Sequence, residues 1–414
     1  MGLIMKKRLL QCSNDIIRSL LAIAAAKQWP LLQMDVKNAF LNGTLSEEVY
    51  MKPPPGTTPP PQKVCLLRRA LYGLKQAPRA WFATFSSTIT QLGFTSSSHD
   101  SALFTRQTPN GIVLLLLYVD DMIITGDDPQ AISDLQCYLG KHFEMKDLGN
   151  LNYFLGLEIS SSSSGYYLSQ AKYRRPPQSI RYYRLRHFLN TSDPNVRLTP
   201  FDGVPLEDPT LYRQLVGSLI YLTVTRPDIA YAVHIVSQFM AAPRTIHFTA
   251  VLRILRYIKG TLGHGLQFSS QSSLVLSGFS DADWAGDPTD RRSTTGYCFY
   301  LGDALISGEE TIIVSVPTSP NIVQVMLLEL IWCVGFFRYG APGHHPLFFI
   351  VIITVLFRLH TMMYSMNEQS ILRMTVTLFA TTYRATHFIS NPSLPPINLR
   401  IYSPKLSILL VSLS

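Results

Sequence analysis

Cysteine is scarce in this chain. Its five cysteines (Cys12, Cys65, Cys137, Cys298 and Cys333) are odd in number and widely spread over 414 residues. None forms a C-x-x-C pair or a metal-type Cys/His spacing, which excludes a disulfide-stapled secreted module and points to a reducing compartment. Long apolar runs are also missing. The longest near the C-terminus, Leu347 to Phe357, falls short of the roughly 20 residues that a bilayer requires, so no membrane partner is expected. A signal peptide is lacking too, because Lys6, Lys7 and Arg8 give way to Gln11, Ser13, Asn14 and Asp15 rather than to an apolar core. The expected location is intracellular, with the compartment open. Charged residues make up only 15%, apolar residues 47%, and such a composition collapses rather than remaining disordered. The balance of 36 basic against 27 acidic residues, net +9, is compatible with a nucleic-acid partner. At roughly 100–200 residues per domain, the length predicts two or three domains.

Aspartate is absent from residues 309–414, and Lys405 is the one lysine there. Ile, Leu, Phe and Thr abound in that stretch without a sustained period, unlike an ordinary soluble domain. Asp35 to Lys172, by contrast, alternates strand-like and helix-like segments. Pro53–Pro61 reads as a stiff surface loop. Ser160–Gly165 reads as a hairpin tip. Five arginines crowd Arg174–Arg186 without periodicity. Helical spacing returns over Leu211–Val224, over Ile229–Met240 behind Pro227, and in the stripe Val251, Leu252, Leu255 and Ile258, which ends at Gly260.

The sharpest local feature is the apolar run Ile112–Val119, which leads into Tyr118-Val119-Asp120-Asp121 and then Met122-Ile123-Ile124. Adjacent carboxylates between apolar strands are costly to bury without a cation. A tight turn would let both acids approach one site; a solvent-exposed Asp-Asp turn is the alternative. Gln33-Met34-Asp35-Val36 reads as a second strand carrying one more acid. Carboxylates from two adjoining strands can hold two Mg²⁺ ions that activate a 3′-hydroxyl and stabilise leaving pyrophosphate.

In order along the chain, Gln33–Gly43 (QMDVKNAFLNG), Leu71–Phe82 (LYGLKQAPRAWF), Tyr118–Asp121 (YVDD) and Phe154–Ile159 (FLGLEI) resemble the polymerase motifs of copia-type retrotransposon reverse transcriptases. The resemblance continues through Tyr212–Thr261 and Phe279–Ser307, where SDADWAG is similar to the first strand of an attached ribonuclease H. It implies Asp35 and Asp120 as metal ligands and Asp121 as the second acid of the pair, all three catalytic, with Mg²⁺ or Mn²⁺ as cofactor. It implies Phe40 as a steric gate against a ribose 2′-hydroxyl, a core phenylalanine being the alternative. Gln76 would line the nascent base pair, Lys146 would be a basic substrate-binding residue, and Phe154, Leu155 and Gly156 would grip the primer. Arg68, Arg69, Lys75 and Arg79 would supply phosphate contacts or form a solvated basic face. Asp281, with Asp283 nearby, would be what remains of a ribonuclease H acid cluster.

Three stretches depart from the family pattern, and a one-base slip in reading frame accounts for them. Met362-Met363 and Met374-Thr375 then both become Asp, and Leu3–Gln11 permits the family's usual text ahead of its first palm helix. The expected organisation is an out-of-frame leader (1–17), a reverse transcriptase palm region (18–172), an irregular segment (173–200), thumb/connection helices (201–270), a partial ribonuclease H (271–308) and an out-of-frame tail (309–414). The basic fingers segment ahead of the first motif is expected to be missing, and integrase and protease motifs are absent from the sequence. The fold class is α+β: an antiparallel palm sheet with helices, a helical connection and a truncated ribonuclease H-like α/β segment. The expected function is that of an RNA-directed DNA polymerase fragment, decayed and poorly active or inactive. Its partners would be RNA/DNA template-primer and deoxynucleoside triphosphates, its oligomeric state being open. A catalytically dead nucleic-acid-binding module is the alternative.

Overall fold

The computed structural model describes residues 2–57, 63–97, 100–170, 198–282 and 293–313. They fall into two compact units, residues 28–154 on one side and residues 2–27 with 155–313 on the other. Most of the irregular segment 173–200 and the tail from 314 onward lie outside the described residues. Among those described, no helix is long and apolar enough to cross a membrane.

The 28–154 unit is built on strands β1 (Leu31–Val36), β2 (Thr44–Met51), β3 (Cys65–Arg69), β4 (Thr95–Ser96), β5 (Leu103–Thr108), β6 (Gly111–Tyr118), β7 (Asp121–Gly126), β8 (Met145–Asn150) and the short β9 (Tyr153–Phe154). Six of them form one sheet in the order β4-β5-β6-β7-β1-β8, while β2 and β3 pair separately. Every ladder in the six-stranded sheet is antiparallel. The apolar run of β6 does not alternate with polar residues because Ile112–Leu117 is buried on both faces of the sheet.

Taking α1 as Gly2–Lys27, the next two helices are α2 (Ala77–Gln91) and α3 (Pro129–His142). Trp81, Phe85 and Ile89 recur at every fourth position of α2, and Ile132, Leu135 and Leu139 follow the same helical stripe on α3. Both stripes join Met34, Val36, Val113, Leu115, Leu117, Met122 and Ile124 in one core. Trp81 packs edge-on to Phe143 at 5.1 Å, and Phe85 lies 5.7 Å from Phe104. Burial of each such ring contributes roughly 1.5–3 kcal/mol. Asp128 starts α3: its carboxylate accepts from Ala131 N–H at 3.0 Å and from Thr108 Oγ1 at 2.7 Å, with Pro129 in the first turn. Gly43 permits the close approach of the loop after β1, since a Cβ there would stand 2.8 Å from Trp81 N.

In the other unit, α1 is buried from Asn14 to Ala25. Asp15 on α1 accepts from Ser307 Oγ at 3.0 Å and faces Arg18 at 3.6 Å. The strands here are β10 (Leu157–Ser162), β11 (Gly165–Ser169), β12 (Leu266–Ser269), β13 (Leu276–Ala282), β14 (Ser293–Leu301) and β15 (Ala304–Ile313). Ser162 pairs with Gly165, which confirms the hairpin expected around that tip. The last three strands form an antiparallel meander, and β15 continues past residue 308. Helices α4 (Thr210–Leu222), α5 (Ala230–Ser237) and α6 (Thr245–Gly260) share a core that includes Tyr212, Leu219, Val233, Val251 and Leu255.

Candidate active site

The β6–β7 hairpin closes through a two-residue turn, Val119-Asp120, with Tyr118 opposite Asp121. Val119 is left-handed, at φ 55°, a costly conformation for a β-branched residue. Two bonds hold the turn: Trp81 Nε1 donates to Val119 O at 2.6 Å, and Val36 N donates to Asp120 O at 2.8 Å. The turn is thereby fixed both to the helical layer and to β1.

On β1, Asp35 lies opposite Asp121 of β7 on one side and opposite Lys146 of β8 on the other. Directly opposed residues share a face, so Asp121, Asp35 and Lys146 form a row across three strands. The neighbouring pair Met34 and Met122 turns to the other face and joins the core. Lys146 reaches its place beside Asp35 through a break in register between Gln33 and Met34, of the kind a β-bulge makes. All three aspartates are half-buried, while Lys146 is exposed. Gln33 Nε2 donates to Asp121 Oδ1 at 3.2 Å. Burial pushes the Asp121 carboxyl above the usual range, Gln33 opposes this, and the charges of Asp120 and Asp35 add to the rise.

Phe40 sits in a 3₁₀ turn (Ala39–Asn42) after β1 and belongs to the core. Its ring lies 4.4 Å from that of Tyr72. The Tyr72 hydroxyl is held above its usual pKa first by burial, then by the charge of Asp120 and a hydrogen bond to it, then by the charge of Asp35. Gln76 stands at the N-cap of α2, half-buried, and its side chain makes no capping bond. Arg68, Arg69, Lys75 and Arg79 are all exposed, with Arg69 Nη1 donating to Asn42 O at 3.1 Å. Phe154 is buried, and Leu155 and Gly156 are both left-handed, at φ 50° and 88°. Asp281 belongs to the other unit, on β13 opposite Gly296, and its side chain lies outside the described residues, as does Asp283.

Among the described residues, no three His, Cys, Asp or Glu side chains converge on one metal position. Asp121 is turned to Gln33. The donor chemistry suits a hard divalent ion, with the carboxylate of Asp35 on a strand directly opposite Asp121 and that of Asp120 on the adjoining turn. One or two carboxylates completed by substrate phosphates are a usual magnesium ligand set.

Sequence reasoning missed Tyr72, Gln33 and Trp81 at this site. Gln33 was within reach, being two residues from Asp35 on a strand and so on the same face. Trp81 had only its helical stripe as a signal, which also describes a plain core residue.

The reverse transcriptase (RNA-dependent DNA polymerase) family matches residues 11–177. The chain is 45% identical over 294 residues to the retrovirus-related Pol polyprotein from transposon RE1 of Arabidopsis thaliana, covering 70% of this chain and 20% of that protein. It is 35% identical over 281 residues to a transposon Ty5-1 protein of Saccharomyces cerevisiae, covering 66% of this chain and 91% of that one. It is 43% identical over 193 residues to an uncharacterized mitochondrial protein of Arabidopsis thaliana, 47% of this chain and 80% of that protein. The chain thus spans about a fifth of the RE1 polyprotein and most of two shorter proteins. On its motifs and these relatives together, the chain belongs to the reverse transcriptase family of copia-type, retrovirus-related Pol polyproteins.

Proposed function

We propose that the 28–154 unit is the palm of an RNA-directed DNA polymerase, with Asp35 and Asp120 as its metal-binding acids and Asp121 as the second acid of the pair. The observation that carries this reading is the register of Asp35 opposite Asp121, with Asp120 on the turn between β6 and β7. Mg²⁺ or Mn²⁺, when bound, would lower the barrier to attack by a primer 3′-hydroxyl on a deoxynucleoside triphosphate. The chain's own part is positioning. Trp81 and Val36 fix the turn that carries Asp120, Gln33 orients Asp121, and Lys146 adds positive charge beside Asp35 for the triphosphate. Gln76 would line the base pair, and Phe154, Leu155 and Gly156 would grip the primer end. Exposed Arg68, Arg69, Lys75 and Arg79 suit phosphate contacts to a template-primer. The meander of β13, β14 and β15, with Asp281 on its first strand, is compatible with the opening strands of a ribonuclease H-like segment.

The test is Mn²⁺ titration of the full chain and of its Asp35→Asn and Asp120→Asn forms, followed by primer extension on an RNA template. Both substitutions should weaken binding by about tenfold or more, since each removes a charged ligand. Equal affinity in all three proteins would remove these acids from the metal site. Metal binding without extension would leave a nucleic-acid-binding module in place of an enzyme.

A further inference from the structure

Lys37 follows β1 directly and has no part in the reading above. Its backbone N–H donates to Glu144 O at 2.9 Å, and its Nζ donates to Glu144 Oε1 at 2.5 Å. The ladder of β1 with β8 pairs Asp35 with Lys146 and Val36 with Met145, and this main-chain bond carries it one position further. Alternation then fixes the faces. Val36 turns into the core, and Met145 packs against the same core. Lys37 and Glu144 therefore share the face of Asp35 and Lys146, about 6–7 Å along the strands from them. On that face the four charges alternate in sign, each lysine next to an acid. An exposed cross-strand ion pair often does no more than trim the end of a ladder. Here the side chains of Lys37 and Glu144 are 64% and 67% exposed, so the pair is easily opened, being worth about fivefold at most in an equilibrium.

We propose that Lys37 is a second phosphate-binding cation of the nucleotide site, and that Glu144 is an internal mask which the incoming triphosphate displaces. Both roles rest on the polymerase reading above. A nucleoside triphosphate brings several negative charges and many acceptor oxygens against the single carboxylate of Glu144, so the exchange of partner on Lys37 runs toward the nucleotide. Glu144 is already mostly in water and gives up its partner at small cost. The backbone bond from Lys37 N stays in place, so the exchange moves two side chains and no strand. Before the nucleotide arrives, the mask also keeps Lys37 from turning to Asp35, which leaves that carboxylate to the metal.

The test measures binding of dATP with Mn²⁺ to the full chain and to its Lys37→Met, Lys37→Arg, Glu144→Gln and Lys37→Met/Glu144→Gln forms. Circular dichroism checks that each variant is folded, as expected for side chains this exposed. Lys37→Met should weaken binding by about tenfold or more, the scale of a lost hydrogen bond between charged groups. Lys37→Arg keeps the charge and should keep most of the affinity. Glu144→Gln unmasks Lys37 and should tighten binding by about two- to fivefold. That gain should vanish in the double variant, where no lysine is left to unmask. An unaltered affinity in Lys37→Met overturns the proposal. So does a gain from Glu144→Gln that persists without Lys37, because it would be plain repulsion between Glu144 and the phosphates. Both of these outcomes leave the polymerase reading standing. Absence of Mn²⁺–dATP binding to wild type overturns that reading and the proposal with it.

Discussion

The Trp81 indole donates to the carbonyl of Val119 at 2.6 Å, across 38 positions of sequence. One core residue of α2 thereby pins the strained turn that carries Asp120. The bond and the strain should be coupled. Trp81→Phe keeps most of the ring packing but leaves the carbonyl without its donor, at a cost of about 1–3 kcal/mol. Val119→Gly accepts φ 55° without steric penalty, so its turn depends less on being held. Trp81→Phe should therefore cost less in the Val119→Gly background than in wild type, by urea denaturation of the four proteins of the cycle. Equal costs would mean that the bond contributes nothing to holding the turn.

Arg226, in the other unit, offers a second test. Its side chain is 1% exposed. It donates to Asp228 through Nε at 2.9 Å and Nη2 at 2.6 Å, to Thr261 O through Nη1 at 3.0 Å, and lies over the Tyr257 ring at 5.6 Å. A lysine keeps the charge but cannot reproduce this fork. Arg226→Lys should destabilise the chain by about 1.5–3 kcal/mol, the scale of a lost hydrogen bond to a charged group. The measurement is the shift in the denaturant midpoint, and an unchanged midpoint would make the network decorative.

What the sequence carried about this fold depended on distance along the chain. The β6 run, the Val119-Asp120 turn and the β1 strand were legible because each is written in a few consecutive residues. The hairpin at Ser162–Gly165 and the stripe of α6 were legible for the same reason. Lys146 could be placed after the hairpin, but its position opposite Asp35 depends on a register break that no local pattern announces. Arg226 finds Thr261 after 35 residues, and Tyr72 finds Phe40 across the β2–β3 pair. Such partners are chosen by tertiary packing.

His247 links stability to pH. It is fully buried, stacked on Phe239 at 3.8 Å. Its Nδ1 accepts from Arg244 N–H at 3.1 Å, so Nε2 carries the proton and donates to Thr199 O at 3.0 Å. Burial lowers its pKa, and nearby Arg244 pushes the same way against Thr199 and Asp202. The unfolded chain, with an ordinary histidine pKa of about 6.5, then takes up a proton that the folded chain refuses. The contribution of His247 is present above that ordinary value and is lost as pH falls through the window down to the lowered folded value. His247→Gln should flatten the fall in stability between about pH 7 and pH 5, as measured by thermal unfolding at fixed ionic strength. A parallel pH profile would assign the titration to other groups.

The last prediction separates Phe40 and Tyr72, whose rings lie 4.4 Å apart, by what each costs to remove. Phe40 is a member of the core that contains Trp81, Val36 and Met122, and truncating a buried phenylalanine to alanine typically costs about 3–5 kcal/mol. Tyr72 is half-exposed on a turn, and comparable surface changes stay within about 0.5 kcal/mol, plus the modest share of its contact with Phe40. Phe40→Ala should therefore lower the unfolding midpoint much further than Tyr72→Ala, and Phe40→Leu, which retains most of the volume, should recover most of the stability. Equal losses in Phe40→Ala and Tyr72→Ala, measured by urea denaturation, would mean that the Phe40 ring contributes no more to the core than the exposed ring beside it.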